Sequence, residues 1–398
     1  MDGSQDLGHV RTDGRAKAAL LKRLIDTVAL PASLISPQDR AMAGDIVLDM
    51  LFHADDAARK LCADRLKQTV EAPRRLMRYL AQCKIELSAN LLAENTSYND
   101  SDLIDVARSC SAEHRLIIAK RKDLGCAVSD VLIELGEPHV MRALLANMGA
   151  ELSEIGMDAL VALSQQMEDL CALIIKRAEL TPAQAMAMFW WSDGATRRLI
   201  LSKHAAERAQ MIDGCSDIFD MVREEQYVDP VARKAVQMIE RRQRNRAALA
   251  RSEFDSLEAA ISAAVVTGMT PELMQEIGYL SGMKPLSTAK LMSDLGGEGL
   301  AVLCKATGLK RANLEELWRA MRRPHRIDSG EIHPQLAYVI DVFETLTVGR
   351  AQTVLRYWNW SLTAAGAQKP ADQAADNDGG QEDAFSAPRR TAKLVFGS

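Results

Sequence analysis

An all-α fold follows from three features of the sequence. Aromatic residues are only 5% of the chain although hydrophobic residues reach 47%, and 18 methionines accompany abundant Ala and Leu, a balance that favours helix over strand. Apolar residues recur at the helical period in segments of about 10 to 20 residues, with little strand-like alternation. Short breaks such as Leu135-Gly136-Glu137-Pro138 and Leu180-Thr181-Pro182 separate those segments. With 398 residues, 26% of them charged, the chain can bury a sizeable core without disulfide staples.

Residues 1–15 are polar and contain glycine, and we expect a flexible tail there. Helical segments then run through 16–253, and part of that span repeats. Leu92-Ala93-Glu94-Asn95 followed by Ser101-Asp102-Leu103 aligns with Leu145-Ala146-Asn147 followed by Ser153-Glu154-Ile155, 52 residues on (95 to 147). Ile118 to Leu124 aligns with Ile174 to Leu180, 56 residues on (124 to 180); the extra four residues are about one helical turn and keep the buried face in register. Ser101 and Ser153 have the character of N-caps, and Asn95 and Asn147 of helix-end residues. Helix pairs that cannot bury their apolar faces alone do so by stacking, which predicts a HEAT-like helical repeat array, an α-solenoid, over 16–253.

The run from Val128 to Val140, continuing through Leu144-Leu145-Ala146-Asn147-Met148-Gly149-Ala150-Glu151-Leu152, resembles the signature stretch of an uncharacterised alphaproteobacterial family, domain of unknown function 2336. The stretch from Leu91 to Arg121 is similar. The resemblance spans about residues 45–325 and is strongest over 84–180; it implies a HEAT-like array and brings no catalytic residue, cofactor or substrate with it.

Phe254 to Thr267 predicts a helix, and Gly268-Met269-Thr270-Pro271 a turn with proline at the first position of the next. Leu295-Gly296-Gly297-Glu298-Gly299-Leu300 and Ala306-Thr307-Gly308-Leu309 divide further short helices. We therefore expect a small helical subdomain at 254–360, joined to the array through Arg241 to Arg251. Residues 361–398, rich in Ala, Asp, Gln, Gly and Pro, predict a disordered tail.

A net charge of -5 disfavours a surface built wholly for nucleic acid or anionic lipid. Seven cysteines without a Cys-x-x-Cys pair indicate reduced thiols rather than a disulfide framework or zinc site. With an N-terminus lacking an apolar leader and no run of 18 apolar residues, the expectation is a cytoplasmic protein.

Motif by motif, chemistry is scarce. Gly296, Gly297 and Gly299 lack the preceding strand, the last glycine of the Gly-x-Gly-x-x-Gly spacing and the following lysine of a phosphate loop, and suit a helix C-cap and turn. No His or Cys spacing forms a metal site, no nucleophile elbow is present, and His114 as a phosphate acceptor would need an exposed setting. Trp190-Trp191-Ser192-Asp193 is the sharpest candidate. Adjacent tryptophans cannot both face one core, so one should lie near a groove, beside which Asp193 would be a carboxylate or a helix cap.

Arg233, Lys234, Arg241, Arg242, Arg244, Arg246 and Arg251 form a basic segment interrupted by Glu240. On a helix, part of it makes a positive stripe able to meet phosphates, lipid headgroups or an acidic protein, although no aromatic residues are interleaved. The tail ends in a basic and apolar cluster, Arg389, Arg390, Lys393, Leu394, Val395 and Phe396, a candidate recognition segment.

The expected function is a non-catalytic protein-protein interaction scaffold or adaptor, without cofactor or metal, binding an unidentified protein partner through Arg241, Arg242, Arg244, Arg246, Arg251, Trp190 and Trp191. The alternative is a nucleic-acid-binding or base-processing helical-repeat protein using the basic stripe and a Trp-lined groove. A third reading is a small-molecule sensor or regulatory enzyme.

Overall fold

A computed structural model describes residues 6–205 and 248–366. Within them the secondary structure is helical throughout, twenty α-helices and one 3-10 turn with no strand, as the composition predicted. By internal contacts the chain forms two units, Met1–Leu160 and Val161–Ser398.

The first unit contains α1 (Asp6–Val28), α2 (Pro37–Phe52), α3 (Asp56–Leu66), α4 (Arg74–Ala81), α5 (Ile85–Glu94), α6 (Asp100–Ser109), α7 (Ala112–Ala119), α8 (Cys126–Glu134), α9 (Pro138–Ala146) and the start of α10 (Glu154–Leu163). Helix α1 begins inside the span expected to be a tail, so residues 6–15 are helical. No proline interrupts them, and a helix already nucleated downstream propagates easily.

Helices α1, α3, α5, α7 and α9 stack in succession, and α2, α4, α6 and α8 stack beside them. This is the packing expected of repeated helix pairs. Chain entries are set by side-chain caps: Ser36 before Pro37, Asp55, and Asn99 with Asp102 in a reciprocal capping box. Asn99 therefore takes the role expected of Ser101, whereas Ser153 does cap, its Oγ accepting from Gly156 N at 2.8 Å.

Asn95 and Asn147 are the C-caps of α5 and α9. Their Nδ2 groups reach back to the preceding helix pair: Asn95 donates to Leu66 O (2.9 Å) and Thr69 O (3.1 Å), Asn147 to Ala119 O (2.9 Å) and Arg121 O (2.6 Å). Between them, Arg121 Nη2 donates to Asn95 O at 2.8 Å and Nη1 to Leu92 O. The rungs Thr69–Asn95, Asn95–Arg121 and Arg121–Asn147 each span 26 residues. The structural repeat is thus one helix pair, and the 52-residue offset seen in sequence is two of them.

The second unit contains the rest of α10, the 3-10 turn Glu168–Leu170, α11 (Cys171–Ile174), α12 (Pro182–Met188), α13 (Gly194–Lys203), α14 (Leu257–Thr267), α15 (Pro271–Leu280), α16 (Pro285–Ser293), α17 (Glu298–Thr307), α18 (Arg311–Ala320), α19 (Pro334–Thr345) and α20 (Val348–Gly366). Helix α17 is its centre. Every residue from Glu298 to Cys304 is buried, and α16, α18, α19 and α20 surround the helix. A helix apolar around its circumference requires such a shell.

Tyr357 OH donates to Ala183 O at 3.2 Å and Trp358 Nε1 to Met186 O at 3.4 Å, fastening α20 to α12. Helices α12 and α13, which the repeat pattern placed with the array ending at residue 253, therefore pack with the C-terminal helices. Hydrogen bonds between residues more than 170 positions apart leave no trace in local periodicity. Helix α20 also extends past the expected subdomain boundary at 360, to Gly366.

Candidate functional site

The paired tryptophans divide as the sequence requires, one buried and one half-buried. Trp190 is 8% exposed and joins Phe189 and Trp358 in an aromatic cluster, with centroids 5.5, 4.7 and 4.9 Å apart. Trp191 is half-buried, its Nε1 donating to Ser164 Oγ at 2.8 Å. Asp193 is the N-cap of α13 and accepts from Thr196 N at 2.7 Å. These four residues anchor and cap, as amphipathic aromatic rings and a short carboxylate do elsewhere.

Beneath the cluster lies an ionic node that the sequence did not disclose. Arg197, on α13, places its guanidinium 4.8 Å from the Phe189 ring centroid. Its Nη1 donates to both Asp294 oxygens at 2.9 Å and to Glu298 Oε2 at 3.0 Å, and its Nε to Ser192 O at 2.9 Å. Burial works against the charge on Arg197, yet the two carboxylates outweigh it and hold the guanidinium above its ordinary range. Arg323 adds Nη2 bonds to Asp294 O (2.5 Å) and Met292 O (3.3 Å). Arg197 and Asp294 are 97 residues apart, so no local pattern marks the node.

Gly297 is the N-cap of α17, not a C-cap. Its N-H is taken by Asp294 Oδ2 at 3.1 Å, and Glu298 fills the first turn, so carboxylates occupy the position a phosphate would need. His114 is buried, with Nε2 donating to Cys83 O at 2.8 Å and Nδ1 accepting from Ser111 Oγ at 2.9 Å. Both ring nitrogens are thus spent on packing, which removes the exposed setting a phosphate acceptor needs.

Arg251 is exposed at the start of the second described segment. Arg233, Lys234, Arg241, Arg242, Arg244 and Arg246 lie outside the described residues, as do the tail residues Arg389, Arg390, Lys393, Leu394, Val395 and Phe396.

The exposed apolar side chains mark a surface that was missed. On α2, Met42 and Ile46 stand one turn apart and are 60% and 48% exposed, with Asp45 and Asp49 exposed on the same face. The opposite face of α2 buries Ala43, Val47, Leu48 and Leu51. A helix with apolar residues on both sides has little amphipathic contrast, and the sequence offered no reason to separate the two sets.

Among the described residues no helix is long and apolar enough to cross a membrane, and no group of three or more His, Cys, Asp or Glu side chains is placed to hold a metal ion. The family described as uncharacterised protein conserved in bacteria (DUF2336) matches residues 87–356. No curated protein and no solved structure matches the chain significantly.

Proposed function

Because the chain belongs to the DUF2336 family of uncharacterised bacterial proteins, which carries no assigned chemistry, we propose from its own geometry that it is a protein-protein interaction scaffold. The observation that carries this reading is the outward face of α2. Two large apolar side chains, Met42 and Ile46, stand in water on a helix whose other face is locked into a stack, flanked by the exposed Asp49 and by Asp45, which is paired with Arg75 at 3.2 Å. Exposed apolar residues on a rigid support suit docking by a partner's complementary face.

The stack supplies the rigidity, since each helix pair from Asn95 onward is hydrogen-bonded to the one before it. The setting we propose is the cytoplasm. The six described cysteines are unpaired, and burial pushes the Cys62 and Cys304 thiols up to about 12, keeping them protonated packing groups.

The test replaces Met42 and Ile46 together by Asp in the full chain and compares proteins captured from native cytoplasm. Capture of a defined partner by the wild type and its loss in the double variant, at unchanged thermal stability, is the expected result. Identical capture by both proteins would remove α2 from the interface.

A further inference from the structure

A cavity of about 290 Å³ opens in the second unit between α13, the start of α17 and α19, lined by Gly194, Arg197, Gly296, Glu298, Gln335 and Tyr338 together with Ser192. Its volume is at the small end for ligand sites, suited to a short group rather than a nucleotide or cofactor. Gly194 is exposed, and Gln335 and Tyr338 are half-buried.

The side-chain donors around it are already engaged. Arg197 is committed to Asp294, Glu298 and Ser192 O. The Gln335 amide donates to Leu295 O (2.7 Å) and Gly296 O (3.3 Å), Ser192 Oγ to Met188 O (2.8 Å), and Tyr338 OH to Gly194 O. Burial, and secondarily Glu298, push the Tyr338 phenol up to about 12, so it keeps the proton it donates.

What remains among the side chains are acceptors. Glu298 is 1% exposed; its Oε2 binds Arg197 while its Oε1 takes no hydrogen bond from the described residues. A Cβ placed on Gly194 would sit 3.6 Å from that Oε1 and 3.8 Å from the Tyr338 ring, so the free oxygen and the ring border the same space. The Gln335 and Tyr338 side-chain oxygens likewise accept nothing from the described residues. Glu298 Oε1 opens onto the cavity rather than being sealed off, so a donor on a ligand can reach it and take the place of water.

We propose that this cavity binds a primary alkylammonium group, seated on Glu298 Oε1 against the Tyr338 ring. An anion is disfavoured because Asp294 and Glu298 already fill the N-terminus of α17. A guanidinium gains little, since its two-pronged grip needs both carboxylate oxygens and Arg197 holds one. An ammonium is a compact charge with three donors and suits one oxygen beside the Tyr338 ring, which Arg198, paired with Asp341, already approaches to 5.9 Å from the centroid. The group could belong to a free amine or to a partner's lysine side chain, and the two sources are separable.

Isothermal titration of the full chain with n-butylammonium at low salt tests the site, with 1-butanol as the neutral isostere and an acetylated, amidated lysine dipeptide as the second arm. Saturable binding of n-butylammonium but not butanol is expected. Binding of the dipeptide as well assigns a side-chain ligand; binding of the amine alone assigns a small molecule.

Gly194→Ala is the decisive variant. Its methyl group enters the cavity at ordinary contact distance from Glu298 Oε1 and Tyr338, so folding should be kept, with an unchanged or higher melting temperature. Amine affinity should fall by about tenfold or more, the equivalent of losing one good contact. Glu298→Gln is a second variant and should abolish binding if it folds. Absence of saturation by n-butylammonium, equal binding of butanol, or undiminished affinity in Gly194→Ala would each overturn the assignment.

Discussion

Asn95 illustrates how much one polar side chain contributes in a stacked array. It is 1% exposed, donates to two carbonyls of the preceding helix pair, and accepts from Ser97 N at 2.8 Å. Replacing it by Ala orphans buried groups on both sides, and Asn95→Ala should cost about 2 to 3 kcal/mol in denaturant unfolding of the full chain. Asn90, exposed on the same helix and 3.5 Å from Asp64, is the control; Asn90→Ala should stay within about 0.5 kcal/mol. The rung at 121 uses arginine instead. Its burial lowers the pKa of the guanidinium, and two backbone carbonyls rather than a carboxylate receive its charge. Asn95 and Asn147 were legible as helix ends because like residues recur; Arg121 was not, because a different side chain does the same work and similarity alone cannot reveal it.

Among the elements, α17 depends most on a single backbone conformation. Gly297 has φ +87° at its N-cap, and a Cβ there would lie 2.4 Å from Trp318 Cζ3. Gly297→Ala therefore combines a left-handed backbone with a collision against a fully buried ring, and should destabilise by about 2 to 4 kcal/mol. Loss of the cooperative melt near its wild-type temperature is the readout; an unshifted melt would contradict the packing of Trp318 on this loop. The sequence placed a break between helices within Leu295 to Leu300, and the structure has it at Leu295 to Gly297, with Glu298 already helical. Sequence alone could not say which helix the glycines served, because glycine is common at both ends. The structure decides through Asp294, which ends α16 in an extended conformation and turns its carboxylate onto Gly297 N.

At the scale of the whole molecule, composition and period announced the helices, and the recurring asparagines announced the array. A C-terminal helical subdomain was expected from 254, but the start of the second unit at Val161 was hidden because its defining contacts join distant segments, Arg197 to Asp294 and Trp358 to Met186. Net charge speaks at this scale as well. With -5 overall, the chain should bind duplex or single-stranded oligonucleotides no tighter than about 10⁻⁵ M at physiological salt, as non-specific contacts do. Submicromolar, salt-sensitive binding lost on changing Arg241, Arg242, Arg244 and Arg246 to Gln would replace the scaffold reading by a nucleic-acid one. The 26-residue rungs, finally, bear on how such a chain can lengthen. Each rung is received by a main-chain carbonyl, a group every residue possesses, so a duplicated helix pair inherits a working acceptor whatever its sequence. Growth by copying a gene segment then needs only one retained donor per copy, Asn or Arg, and the direction of the ladder fixes which neighbour must supply it.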